Sequence, residues 1–128
     1  MTDKKLIEIA KNVSEKAYAP YSGFKVGAAI LCKSGKVFSG CNVENASYGL
    51  TNCSERTAVF KAVSEGETGF EKIVIYTDTD ILFTPCGACR QVLAEFNPDI
   101  EVLIVSRKEQ MNTDMKELLP MNFSLRKD

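Results

Sequence analysis

Cys53-Ser54-Glu55 and Cys86-Gly87-Ala88-Cys89 place three thiols and one carboxylic acid in two short motifs. Three thiolates fill three corners of a tetrahedral zinc site and leave the fourth for water, which is what a catalytic zinc needs. A carboxylate beside such a water can take its proton and hand it to a substrate, and Glu55 is the residue placed for that role. Alone, the C-x-x-C pair also fits a redox couple or half of a structural zinc site. A redox couple leaves Cys53 and Glu55 without a use. The chain contains no histidine. Imidazole is therefore excluded as base or ligand, and with it every Ser-His and Cys-His scheme.

Spacing sets where these groups must sit. Cys86 and Cys89, at i and i+3, fall on one side of a helix start, where backbone N–H groups favour thiolate over thiol. Cys53 and Glu55 are two apart and would diverge on a regular helix. Cys53 is therefore expected at or beside an N-cap, so that two helix N-termini meet at one ion. Zinc with three thiolates carries net negative charge, which weakens it as a Lewis acid and opposes ionisation of its water. Arg56, over the same helix face as Cys53, is the expected charge relief. Arg90, next to Cys89, is the other cation in reach; both arginines also read as solvated surface groups, Arg90 more readily than Arg56.

Apolar periodicity outlines the elements that carry the motifs. Leu6, Ile7, Ile9, Ala10, Val13 and Ala17 recur at helical spacing over residues 3–17, and Pro20 with Gly23 marks the loop that follows. Residues 24–32 and 36–42 read as a hairpin about Ser34-Gly35. A loop over 44–52 runs into a helix from Cys53 to Ser64, stopped near Gly66. The short apolar runs 73–76 and 101–105 suit strands covered on both faces, with a helix through Val92, Leu93 and Phe96 between them. A short helix is expected over 113–119, then a tail over 121–128. Strands alternating with helices imply a layered α/β domain with part of its sheet parallel. No linker or repeat interrupts the chain, so residues 1–128 are expected to form a single domain.

At 128 residues the chain can bury a sizeable core. Its formal net charge of −1 suggests neither a nucleic-acid nor an anionic-membrane surface. No apolar run approaches the ~20 residues of a membrane span and residues 1–5 lead into no signal-peptide core, so a cytoplasmic location is expected. Five cysteines, two of them in C-x-x-C, argue against a disulfide framework. Cys32 and Cys41 read as small buried hydrophobes.

Cys53-x-Glu55 followed by Pro85-Cys86-x-x-Cys89 is similar to the zinc deaminase pattern, H-x-E or C-x-E and then P-C-x-x-C. Residues 18–29 (YAPYSGFKVGAA), 40–49 (GCNVENASYG), 85–91 (PCGACRQ) and 117–120 (ELLP) narrow this, and almost from end to end the chain resembles the cytidine deaminases. The resemblance implies a three-layer α/β/α fold: a mixed central sheet of about five strands with helices on both faces. It implies one Zn2+ per subunit, and hydrolysis of cytidine or deoxycytidine to uridine or deoxyuridine and ammonia, as in pyrimidine salvage. By the same resemblance zinc hydroxide attacks C4, Glu55 protonates N3 and then the departing ammonia, and the Thr84 carbonyl lies beside the leaving group.

Asn42 and Glu44 match the family's ribose-holding positions. On a strand, i and i+2 face the same way, so an amide and a carboxylate can share one pair of hydroxyls. Without the resemblance they read as strand-end turn formers. Phe24 matches an aromatic set against the pyrimidine ring; unaided, it reads as core. Tyr48 fits a similar wall, and Ala46 a backbone-level contact. The matched short-chain form is a homotetramer whose neighbours complete each site, and Phe123 resembles the C-terminal aromatic that reaches an adjacent base. A local hydrophobic anchor is the alternative for Phe123. Ser54 departs from the pattern, standing where this family usually has alanine.

Three rivals remain at this level. A structural zinc module of four cysteines, with Cys41 as fourth ligand, leaves Glu55, Asn42 and Glu44 unexplained. A deaminase of an antibiotic such as blasticidin S shares the metal motif, but the ribose pair and the Phe24 block disfavour it. A tRNA or single-stranded DNA deaminase would want a basic path for phosphates, which the net charge does not offer.

Overall fold

Small residues in the middle of a hairpin let helices close on both of its faces. The computed structural model describes residues 1–126; residues 127 and 128, the last of the expected domain and tail, lie outside the described residues. Strand β1 (Val26–Cys32) pairs antiparallel with β2 (Val37–Cys41), in a register running from Gly27 opposite Cys41 to Leu31 opposite Val37. On its other edge β1 pairs antiparallel with β3 (Phe70–Thr77). Strand β3 then pairs parallel with β4 (Glu101–Val105), and β4 antiparallel with β5 (Gln110–Asp114). The order β2-β1-β3-β4-β5 gives one mixed five-stranded sheet, as expected.

Side-chain alternation sorts the core into two layers. Ala29, Val74, Tyr76 and Leu103 face helix α1 (Asp3–Ser14), which buries Leu6 and Ala10 against them. Ala28, Ile30, Ile73, Ile75 and Ile104 face helices α2 (Ser54–Ser64) and α3 (Gly87–Phe96), which contribute Ala58, Val59, Ala62 and Leu93. Each such fully buried Ile or Leu contributes about 1.5–3 kcal/mol. Both helix faces depend on glycine. A Cβ on Gly27 would lie 1.9 Å from the Ala10 carbonyl oxygen, and one on Gly40 would lie 2.5 Å from the Ala58 nitrogen.

Strand β5 was not expected. Its burial is slight and its sequence, Gln-Met-Asn-Thr-Asp, has no apolar alternation, as befits an edge strand held by its backbone ladder. The helix expected over 113–119 shortens to α4 (Met115–Leu118), because Thr113 and Asp114 belong to β5 and Asp114 caps the helix. Helix α1 stops at Ser14, and β2 stops at Cys41, one residue before Asn42. Among the described residues no helix is long and apolar enough to cross a membrane.

Candidate active site

Helices α2 and α3 begin side by side at the three thiols. Cys53 is the N-cap of α2 and Cys86 the N-cap of α3, both extended (φ −74°, ψ 156° and φ −67°, ψ 167°). Cys89 is buried in the first turn of α3, and its backbone N–H donates to Cys86 Sγ at 3.5 Å. The Cys53 and Cys86 sulfurs lie 3.8 Å apart, Cys86 and Cys89 lie 3.4 Å apart, and all three fall within 4.8 Å of one another. Tetrahedral ligation at ≈ 2.3 Å per Zn–S bond sets sulfurs about 3.8 Å apart. The donor set fits one metal ion. Among the described residues Cys41 is not part of this cluster, so the fourth thiolate of a structural site is missing.

Charge around the sulfurs is arranged unevenly. Cys53 is pulled down to about 5, first by a hydrogen bond from the Cys89 thiol and then by Arg56 and Cys86, against the opposing effect of burial. Cys89 is pushed far above the ordinary thiol range by that same bond to Cys53, then by burial and by the charge of Glu55. Arg56 Nη2 donates to Cys53 Sγ at 3.4 Å. Arg90 turns elsewhere: Nε donates to the Pro85 carbonyl at 2.8 Å, Nη1 to the Leu118 carbonyl at 2.8 Å and Nη2 to Thr84 Oγ1 at 3.1 Å. It ties the loop before α3 to the end of α4.

Glu55 is only 5% exposed. Burial pushes its carboxyl above the ordinary range, and a hydrogen bond from Ser54 pulls the other way. A cavity of about 240 Å³ is lined by Cys53, Glu55, Cys86 and Thr84 together with Asn42 and Glu44.

Asn42 and Glu44 flank Val43, whose isolated bridges to Tyr18 and Asn52 carry extended chain past the end of β2. Both also hold the loop opposite. Asn42 Oδ1 accepts from the Val26 N–H at 2.9 Å, and its Nδ2 donates to the Phe24 carbonyl at 2.8 Å. Glu44 Oε1 accepts from the Tyr21 and Ser22 N–H groups, each at 3.0 Å, and Ser22 Oγ donates to Oε2. The Ser22 hydroxyl, then the Ser22 and Tyr21 amides, hold the Glu44 carboxyl below its ordinary range. The Phe24 ring packs 5.6 Å from that of Phe83, and Phe83 lines the cavity. Sequence reasoning missed Phe83; its place just before Thr84-Pro85-Cys86 was the available signal.

Phe24 itself does not line the cavity, and the remaining candidates also lie outside its wall. Tyr48 is 78% exposed in a 3-10 turn (Tyr48–Leu50) and meets Tyr21 edge-on at 6.5 Å, beside an adjoining groove that shares Glu44 and Thr51. Ala46 is exposed and lines neither space. Phe123 is 68% exposed, and its carbonyl accepts from Gln91 Nε2 at 3.0 Å.

A family model described as the cytidine and deoxycytidylate deaminase zinc-binding region matches residues 1–106. The chain belongs to that family. Within it, a cytidine deaminase of Sporosarcina psychrophila is 48% identical over 126 residues, covering 97% of this chain and 93% of its own. The crystal structure of a cytidine deaminase from Burkholderia pseudomallei superimposes with a TM-score of 0.92 at 51% identity, covering 96% of this chain and 100% of that one. A blasticidin-S deaminase of Bacillus cereus is more distant, 33% identical over 132 residues, or 95% of this chain and 92% of its own. In this zinc deaminase chain Cys53, Cys86 and Cys89 are positioned to bind one zinc ion.

Proposed function

We propose that this chain is a zinc-dependent cytidine deaminase, hydrolysing cytidine and deoxycytidine to uridine and deoxyuridine with release of ammonia. One observation carries the reading: a single cavity is lined by two of the three clustered thiols and the buried acid, and also by Asn42 and Glu44. Cys53, Cys86 and Cys89 would hold zinc, which when bound would supply the Lewis acidity that makes a water nucleophilic at neutral pH. Glu55 would take one proton of that water to pyrimidine N3, and then carry the water's second proton to the departing amine as the C4 carbonyl forms. Its raised affinity for a proton in a buried site suits that work. Arg56, donating to Cys53, offsets the negative charge of the thiolates.

Thr84 offers its carbonyl to the leaving amine, and Phe83, with Phe24 packed against it, walls the base. Asn42 keeps one amide hydrogen and Glu44 keeps carboxylate lone pairs beyond those used on the loop, enough to hold ribose hydroxyls. Tyr48 and Ala46 belong to the rim. Residues 1–128 act as one domain in a cytoplasmic homotetramer serving pyrimidine salvage, and exposed Phe123 is available to complete a neighbour's site.

Blasticidin S is the second reading, and greater identity to the cytidine deaminases favours the nucleoside. Absorbance of cytidine, deoxycytidine and blasticidin S with zinc-loaded protein tests the choice. Turnover of both nucleosides is expected, with Glu55→Ala lowering kcat at least about 10²-fold while keeping zinc. No turnover of either nucleoside overturns the reading.

A further inference from the structure

Ser54 opens helix α2 between a metal ligand and the buried acid, and it is fully buried. Neighbouring side chains on a regular helix point apart. Here the extended N-cap at Cys53 precedes them, and the Ser54 hydroxyl reaches Glu55 Oε1 and donates to it at 2.6 Å. Among the described residues that hydroxyl makes no other hydrogen bond.

Burial alone does not settle which oxygen of Glu55 faces its work, because the terminal torsion of a glutamate is broad and roughly two-fold. The Glu55 backbone N–H and the Cys89 thiol also bear on the carboxyl, and the Ser54 hydroxyl is the donor that holds Oε1 at 2.6 Å. We propose that Ser54 is a positioning residue for deamination: its hydroxyl pins Glu55 Oε1, leaving Oε2 as the oxygen that exchanges protons with water and substrate. With the proton on Oε2, Ser54 still donates to Oε1, so the bond persists whether or not Glu55 carries a proton. Nothing needs to reorganise as the proton passes, which is the advantage of a preset geometry. Alanine at this position would leave Oε1 buried without that donor.

The inference rests on Glu55 as the proton carrier of the proposed reaction. Its test is Ser54→Ala in the full-length, zinc-loaded chain, read by kinetics and by a crystal structure. With the acid misaligned but the substrate held elsewhere, kcat for cytidine is expected to fall about three- to tenfold while KM and zinc content stay as in the wild type. The structure is expected to show the Glu55 carboxylate in more than one orientation. An unchanged kcat overturns the proposal. So does a loss of rate that comes with zinc loss or a raised KM, or a Glu55 that keeps its single orientation. If the wild type itself turns over no nucleoside, the deaminase reading fails and the role of Ser54 with it; an active wild type with an equally active Ser54→Ala chain overturns the inference alone.

Discussion

Arg56 is the guanidinium that bonds a metal-site sulfur, since Arg90 is committed to the Pro85 and Leu118 carbonyls and to Thr84. Removing it leaves three thiolates and one dication with their excess negative charge less well matched. Outer partners of metal ligands commonly change affinity 10–100-fold. Arg56→Ala is therefore expected to weaken zinc retention about tenfold in competition with a chromogenic chelator, with the fold intact by circular dichroism. Retention equal to the wild type would remove the role. At this scale much was legible: a two-residue spacing forced Cys53 onto an N-cap, and the cap is there. The second task of Asn42 and Glu44 was not legible, because bonds to the Phe24 carbonyl and the Tyr21 and Ser22 amides depend on a loop about twenty residues away closing over them. Phe83 was hidden for a similar reason, lying in a loop with no period to show which way it faces.

Helix α2 lies on β2 through one glycine, and α1 lies on β1 through another, so the two contacts separate stability from function. A Cβ at Gly40 would meet the Ala58 nitrogen at 2.5 Å and the Ser54 carbonyl oxygen at 2.9 Å, pushing on the turn that presents Cys53 and Glu55. A Cβ at Gly27 would meet the Ala10 carbonyl oxygen at 1.9 Å, on the sheet face away from the thiols. Overpacking of this kind costs about 1–3 kcal/mol or more. Both Gly27→Ala and Gly40→Ala are expected to lower Tm. Gly40→Ala should also lose zinc and activity, while folded Gly27→Ala keeps kcat. Equal zinc loss in both would contradict separate roles for the two faces. Period and small-residue placement exposed most of this architecture in the sequence; β5 escaped because an exposed polar strand is specified by its neighbour's free backbone edge rather than by its own side chains.

For the molecule as a whole, the metal clasps two helix starts that already rest on a finished core. The apolar clusters on both sheet faces include no metal ligand, so the metal-free chain is expected to stay folded. Chelation should still lower Tm by roughly 10 °C or more, because a ligand present far above its Kd stabilises the state that binds it. The pH dependence follows from the thiols. The Cys53 thiol is drawn well below its ordinary range, whereas the Cys89 thiol, bonded to it, is pushed above. Ligation by three thiolates must then release at least the Cys89 proton, and proton release on binding makes the apparent affinity rise with pH. The expected slope is about tenfold per pH unit for each proton released. Chelator competition between pH 6 and 8, roughly the working range of such measurements, should show affinity climbing with pH and zinc lost on the acid side. A flat profile would mean that Cys89 does not release its proton on binding, so that three thiolates do not hold the ion and the metal site would have to be redrawn.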